Sequence, residues 1–427
     1  MQFPLMDDFR FADAGTLKAL YEEIFARIDA RERSLRVFSA RAPERERVMR
    51  IVDSLLAEYP EPSGRPPLFG VPIGVKAVFR VEGEETSVGS LLPADLFAGP
   101  EAALVTAAKR AGAVLLGMTA TTEMVSAEPA ATCNPHNEAH TPGGSSSGSA
   151  AGVAAGFFPL AFGTQTIGSV ARPASFCGVV GFKPSYGVLP TEGAMYFSRS
   201  ADHAGIFTAT AADAATAFYA LLPERKRATA SAPVKLGIPI GPYLDQAMPG
   251  TVAHLHNALA AFAAKSGGAV DVVDVPCFED LPAIAALHHD LINAEFAGEQ
   301  AEFFPRYEGL YRPRTAAGIR YGMGLGPDAV ERGKASQRAQ REKLGLIMDE
   351  YGLSAFVTPS AVGEADKGLL FTGDPCMNMP WTHAGMPTIT LPIGTGKQGL
   401  PLGMQLAGKF GDDDTVLALA KYLEDLK

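Results

Sequence analysis

Apolar positions recur with a helical period near the start of the chain. Leu17, Leu20, Tyr21, Ile24, Phe25 and Ile28 make one stripe, while Glu22, Arg27 and Asp29 fall on other faces. The spacing predicts a helix there and a second over about 44–58, ending before Tyr59-Pro60-Glu61-Pro62. The pattern then changes: PPLFGVPIGVKAVF reads as a strand punctuated by prolines, delivering Lys76 at or near its end. A helix over 101–111 leads through Gly112 into a strand, Ala113 to Gly117. The stretch Glu128 to Gly144, rich in Pro, Asn, Thr and Gly, reads as a loop. A small-residue helix, Ser149 to Gly156, and an apolar run, Phe157 to Phe162, follow; the run reads as a buried strand.

Further on, helix and strand signals alternate. Helices are expected near 210–222 and 250–266, and strands over 234–240 and 269–275. A helical region spans about 280–350 with a break at Tyr321 to Pro327, and strands follow near 355–358, 387–392 and 402–406. A last amphipathic helix carries Val416, Leu419, Leu423 and Leu426, widened by Leu417 and Tyr422. Strands alternating with helices over short connections imply an α/β layer structure. With no internal repeat or low-complexity tract, the expectation is one domain over 1–427, a helical segment of about 10–60 packing on its core.

Composition narrows the picture. The 427 residues are 47% hydrophobic and 20% charged, enough apolar material for a large core in an ordinary soluble protein. A net charge of −10 excludes a basic nucleic-acid footprint. Cys133, Cys177, Cys277 and Cys376 are too few and scattered for a disulfide framework, so free thiols in a reducing compartment are expected. MQFPLMDDFRF has no basic region leading into an apolar one, and no apolar run approaches a membrane span. The expectation is a cytoplasmic protein with neither membrane nor nucleic acid as partner.

The chemistry concentrates in Thr141 to Pro184. GGSSSGSA sets three serines among glycines, where backbone N–H groups can turn inward. A second serine, Ser169, ends GTQTIGS, 24 residues after Ser145, with a small-residue helix and a strand between. Upstream lies Gly70-Val71-Pro72-Ile73-Gly74-Val75-Lys76. These three motifs, with VVGFKP after the second, resemble the amidase signature family, whose pattern runs GVPxxVKD, GGSSGGSA, GTDTGGS and a GLKP-like end. The resemblance extends from about residue 15 to GDPCMNMPWTHAGMPTITLPIG and GLPLGMQLAG.

That resemblance implies an α/β fold with one large mixed central sheet covered by helices on both sides. It also implies an amidohydrolase that cleaves a small carboxamide or related C–N bond without metal or other cofactor. Ser169 matches the nucleophile, Ser145 the bridging serine whose bond to Gly144 is cis, and Lys76 the base. The backbone N–H groups of Thr166, Ile167, Gly168 and Ser169 match the oxyanion hole. A small amide is the expected partner, with a homodimer possible. Two further readings share this chemistry: acyl transfer to an acceptor other than water, and the amidase-type subunit of a multi-subunit amidotransferase.

The chain departs from the pattern at Ala77 and Gln165, where aspartates are common, and at Ile167, where glycine is. An arginine often two residues after the nucleophile is Ala171 here, with Arg172 one place later. These positions bear on substrate type, since none supplies a bond-making group. Segments 118–128, 196–203 and 287–323 are expected to line the acyl pocket.

Rival motifs are weaker. Gly144 to Gly148 fits the nucleophile elbow, with Ser146 as nucleophile and His203 or His383 as partner, but loop chemistry precedes it where a buried strand is required. Cys133, His136 and His140 lack a clear fourth metal ligand. The glycines of Gly322 to Gly326 follow no apolar strand, as a dinucleotide site requires. His288-His289 is expected on a polar helix face, and Trp381 suits either core or pocket lining.

Overall fold

A computed structural model describes residues 4–229 and 233–427. Ten strands form one sheet: β1 (Pro72–Lys76), β2 (Val114–Thr119), β3 (Leu160–Gln165), β4 (Val180–Lys183), β5 (His203–Thr208), β6 (Val234–Ile240), β7 (Val270–Pro276), β8 (Ala355–Pro359), β9 (Thr388–Thr395) and β10 (Pro401–Ala407). Their order is β2-β1-β3-β5-β4-β9-β10-β8-β6-β7. β1 pairs in parallel with both β2 and β3, and β6 with both β7 and β8. The other neighbours are antiparallel, so the sheet is mixed. Every residue of β1 to β5 is buried, as in strands covered on both faces.

The first helical stripe lies within Ala14–Leu35, where Leu17, Tyr21, Ile24, Phe25 and Ile28 are buried and Asp13 caps the N-terminus by accepting from the Thr16 N–H. The Tyr21 hydroxyl donates to the Gly70 carbonyl at 2.8 Å, which ties this helix to the approach of β1.

Two expectations about the elements need correction, and three short elements carry no expectation at all. The apolar run at 157–162 is only partly strand: β3 begins at Leu160, because Pro159 lacks the N–H that a ladder needs. Phe157 and Phe158 instead pack against Phe38, and a Cβ on Gly74 or Gly152 would strike the Phe158 ring. The helical region 280–350 has a second break, giving Leu281–Glu299, Pro313–Met323 and Ala329–Tyr351 as its main helices, with prolines in the first turns of the former two. Finally, β4, β5 and the helix Ala171–Cys177 are four to seven residues long and give no periodic signal.

The helix Ser147–Ala154 lies close on the sheet's β1, β2, β3 side. A Cβ on Gly148 would stand 2.2 Å from the Val37 carbonyl oxygen and 2.4 Å from the Ala120 nitrogen, so only glycine permits this approach. Ser149 hydroxyl donates to the Phe162 carbonyl at 2.8 Å and meets the Thr119 hydroxyl at 2.7 Å. The helix is thereby fixed to β2 and β3, and with it the serine loop at its N-terminus.

Candidate active site

Because β1 and β3 run parallel, their carboxyl ends emerge together, the place where open α/β sheets assemble ligand sites. Lys76 ends β1 and is fully buried. Its Nζ donates to Ser145 Oγ at 2.7 Å and to Thr164 Oγ1, on β3, at 2.6 Å. Burial brings the Lys76 pKa down to about 7; the carboxyl of Asp202 acts the other way.

Ser145 follows a cis peptide bond with Gly144. The loop around it is pinned from several sides. Gly143, at φ +84°, donates to Thr141 Oγ1 at 3.1 Å and accepts from the Ser147 hydroxyl at 2.7 Å. The Gly144 carbonyl accepts from Arg172 Nη2 at 2.7 Å, and the Ser145 carbonyl from the Thr122 N–H at 3.2 Å. Arg172 thus reaches back to the serine loop from one position later than the familiar place. Among the described residues its Nε and Nη1 are buried without a partner, and burial lowers its pKa to about 10.

Residues 166–169 turn sharply out of β3 into the helix Ala171–Cys177. Gln165 organises the turn. Its Oε1 accepts the N–H groups of Val170 at 2.7 Å and Ala171 at 3.0 Å, and its Nε2 donates to Thr382 Oγ1 at 2.9 Å. An aspartate here could accept from the same two N–H groups; the glutamine does so and adds a donor. Gly168 cannot be replaced without displacement, because a Cβ would lie 2.4 Å from Asn378 Oδ1. Among the described residues, no protein oxygen accepts the N–H of Ile167, Gly168 or Ser169.

Ser145, Thr166, Ile167, Gly168 and Ser169 all line one cavity of about 880 Å³. Lys76 stands behind Ser145, outside the lining. Val125, Ser126, Ala127 and Phe197 contribute to the walls, as do Ile292, Asn293, Ala317 and Tyr321. The loop Phe371–Gly373 with Pro375 closes another side, a segment outside the three expected from sequence; its cue was the turn chemistry of GDP at 373–375. A smaller cavity of about 360 Å³ lies alongside and shares Ile167, His289 and Pro375 with it.

Two participants went unforeseen. Thr164 contacts Lys76 directly. Asp202 accepts from the Thr166 hydroxyl and from the N–H groups of Phe197 and Ser198 at 2.7 and 3.1 Å. Burial pushes the Asp202 carboxyl up to about 6, partly offset by those hydrogen bonds and by Lys76.

The rivals fall elsewhere. Ser146, the elbow candidate, is fully buried, donating to the Thr164 carbonyl and accepting from its N–H, both at 3.2 Å. His203 and His383 are buried outside the cavity lining. Cys133, His136 and His140 engage three separate partners: Arg36 Nη2, the Cys177 carbonyl and the Ala365 carbonyl. Trp381 is core, packed on Tyr243, Phe278 and Phe356 with its N–H donated to the Tyr243 hydroxyl at 2.8 Å. His288 is not on a polar face but buried, while His289 beside it is exposed.

Known proteins resemble this chain throughout. The family model described as Amidase matches residues 19–251 and 338–417. A glutamyl-tRNA(Gln) amidotransferase subunit of Symbiobacterium thermophilum is 32% identical over 413 residues, covering 83% of this chain and 82% of that protein. The 1-carboxybiuret hydrolase subunit AtzE of Pseudomonas sp. strain ADP is 32% identical over 446 residues, 95% of this chain and 94% of that one. Among solved structures, that of an amidase superposes with a TM-score of 0.86 at 27% identity, over 97% of this chain and 96% of the other.

Proposed function

Because the chain belongs to the amidase family, hydrolases of C–N bonds, we propose that it cleaves a small carboxamide through an acyl-enzyme on Ser169. The observation that carries this is the buried, deprotonation-prone Lys76 at 2.7 Å from Ser145, with Ser145 and Ser169 on the wall of one cavity.

Ser169 Oγ attacks the amide carbonyl while its proton passes to Ser145 Oγ, and the Ser145 proton passes to neutral Lys76. The carbonyl oxygen, now negative, accepts from the N–H groups of the 166–169 turn. Collapse expels the amine, which takes a proton returned from Lys76 through Ser145. Water then attacks the ester with the same groups acting as base, releasing the carboxylic acid and restoring Ser169. The relay uses hydroxyls and an amine throughout, so no histidine takes part in the proton transfers.

Substrate class is read from the walls. Arg172 and Arg314 are among the lining residues and no Asp or Glu is, while Ile167, Phe197, Ile292 and Phe371 supply apolar surface. Neutral or anionic amides with an apolar body fit this lining. A second reading, membership of a larger assembly, draws support from two relatives named as subunits and from exposed Leu370, Phe371 and Met323 on segments that frame the cavity.

A fluorophosphonate should attach to Ser169, fluoride leaving as the O–P bond forms, and peptide mass spectrometry should find the adduct there. Ser169→Ala should abolish both labelling and amide turnover. An adduct on Ser146, with Ser169→Ala still active, would refute the assignment.

A further inference from the structure

The turn after β3 is held by its carbonyls. In a trans peptide the C=O and N–H lie in one plane and point in opposite directions, so whatever grips the carbonyl of residue 166 aims the N–H of residue 167. His288 Nε2 meets the Thr166 carbonyl at 3.2 Å. Thr382 Oγ1 donates to the Ile167 carbonyl at 2.7 Å. The Gly168 carbonyl accepts from the Arg172 N–H at 3.0 Å. Three successive peptides are therefore anchored on the side away from their free N–H groups.

We propose that His288 and Thr382 are positioning residues that aim and polarise the N–H groups of Ile167 and Gly168 toward the cavity. The proposal rests on the reading of Ser169 as nucleophile and of this turn as the oxyanion hole. A hydrogen bond accepted by an amide oxygen draws charge through the peptide and strengthens the N–H of the same unit as a donor. His288 acts in this way on the peptide carrying the Ile167 N–H, and Thr382 on the one carrying the Gly168 N–H.

The proton directions follow from the partners. A carbonyl only accepts, so His288 Nε2 carries the hydrogen given to Thr166. Burial holds His288 and His383 neutral, with pKa values down to about 3 and about 4. His288 Nδ1 is then a bare acceptor, and His383 Nδ1, 3.1 Å away, must donate to it. His383 Nε2 is bare in turn and accepts from the Ser336 hydroxyl at 2.9 Å. One directed chain thus runs from the helix Ala329–Tyr351 through two imidazoles to the turn. The Thr382 hydroxyl likewise accepts from Gln165 Nε2, which leaves its own proton for a carbonyl; Ile167, at 2.7 Å, is closer than Asn378 at 3.2 Å.

The test compares four variants by the second-order rate at which a fluorophosphonate labels Ser169, whose phosphonyl oxygen occupies the oxyanion position, alongside thermal midpoints. Thr382→Val and His288→Leu remove the donor. Thr382→Ser keeps it, and His288→Gln places an amide N–H where Nε2 stood. The first pair should label roughly ten- to a hundredfold more slowly, less than the 10²–10³ measured for deleting a whole oxyanion donor. The second pair should stay within about threefold of the unaltered protein. Labelling at the unaltered rate by folded Thr382→Val, or equal losses in Thr382→Ser and Thr382→Val, would overturn the proposal. If His288→Leu does not fold, the near-isosteric Thr382→Val carries the test alone. Absence of any Ser169 label in the unaltered protein would instead sink the nucleophile assignment.

Discussion

A lysine serves as a base only without its proton, and an unperturbed lysine, at about 10.4, holds that proton at neutral pH. Full burial reverses the balance for Lys76 by penalising the ammonium, bringing its pKa to about 7. Activity should therefore be low below pH 7, rise as Lys76 deprotonates and level off above it, read as kcat/KM against pH. Lys183 is a built-in control. It too is buried with a pKa lowered to about 7, yet it donates to the carbonyls of Met386 and Pro184, whereas Lys76 donates to the hydroxyls of Ser145 and Thr164. Lys76→Ala should cost roughly 10²–10⁴-fold in kcat/KM, the range of general acid–base catalysis, and erase the limb. Lys183→Met should leave the limb in place in whatever fraction folds. If the limb instead follows Lys183, the assignment of the base is wrong. Both lysines bind more protons unfolded than folded between pH 7 and about 10.5, so their combined effect on stability grows more favourable as pH rises through that window.

Among the elements, the small-residue helix Ser147–Ala154 has little tolerance for change. A methyl on Gly148 meets two backbone atoms, the Val37 oxygen and the Ala120 nitrogen, and neither can swing aside as a side chain would. Gly148→Ala should destabilise the fold by about 1–3 kcal/mol, the usual cost of overpacking, and lower activity further by shifting Ser145. Urea denaturation monitored with turnover checks both; unchanged values would mean the helix can slide. This element also shows what sequence can reveal. The Gly/Ser turns and the strand ending in Lys76 were legible because each depends on neighbours in the chain. Thr164, Asp202, His288 and Thr382 were not. Their meeting with Lys76 or the turn depends on how strands are ordered and helices docked across 36 to 217 residues of sequence. The start of β3 was misplaced because an apolar run reports burial, whereas the ladder answers to the missing N–H of Pro159.

At the scale of the whole molecule, the charge of the walls sets a preference. Arg172 and Arg314 line the cavity with no carboxylate among the lining residues, and like charge opposes like. Between amides of equal size, a cationic one should react at least about tenfold less well in kcat/KM than its neutral counterpart, equivalent to roughly 1.4 kcal/mol. A matched panel of cationic, neutral and anionic amides measures this, and a cationic preference would contradict it. The sheet order carries a further consequence. Its first five places, β2-β1-β3-β5-β4, come from residues 72–208, and its last five, β9-β10-β8-β6-β7, from 234–407. Lys76, Ser145 and Ser169 all belong to the first group, whereas His289 to Pro375 furnish much of the pocket wall from the second. The molecule is divided like a tool whose blade and guide are cut from different lengths of the same bar. A change among His289 to Pro375 can reshape the pocket without touching Lys76, Ser145 or Ser169; the exceptions in the second half are His288 and Thr382, where it grips the turn that ends in Ser169.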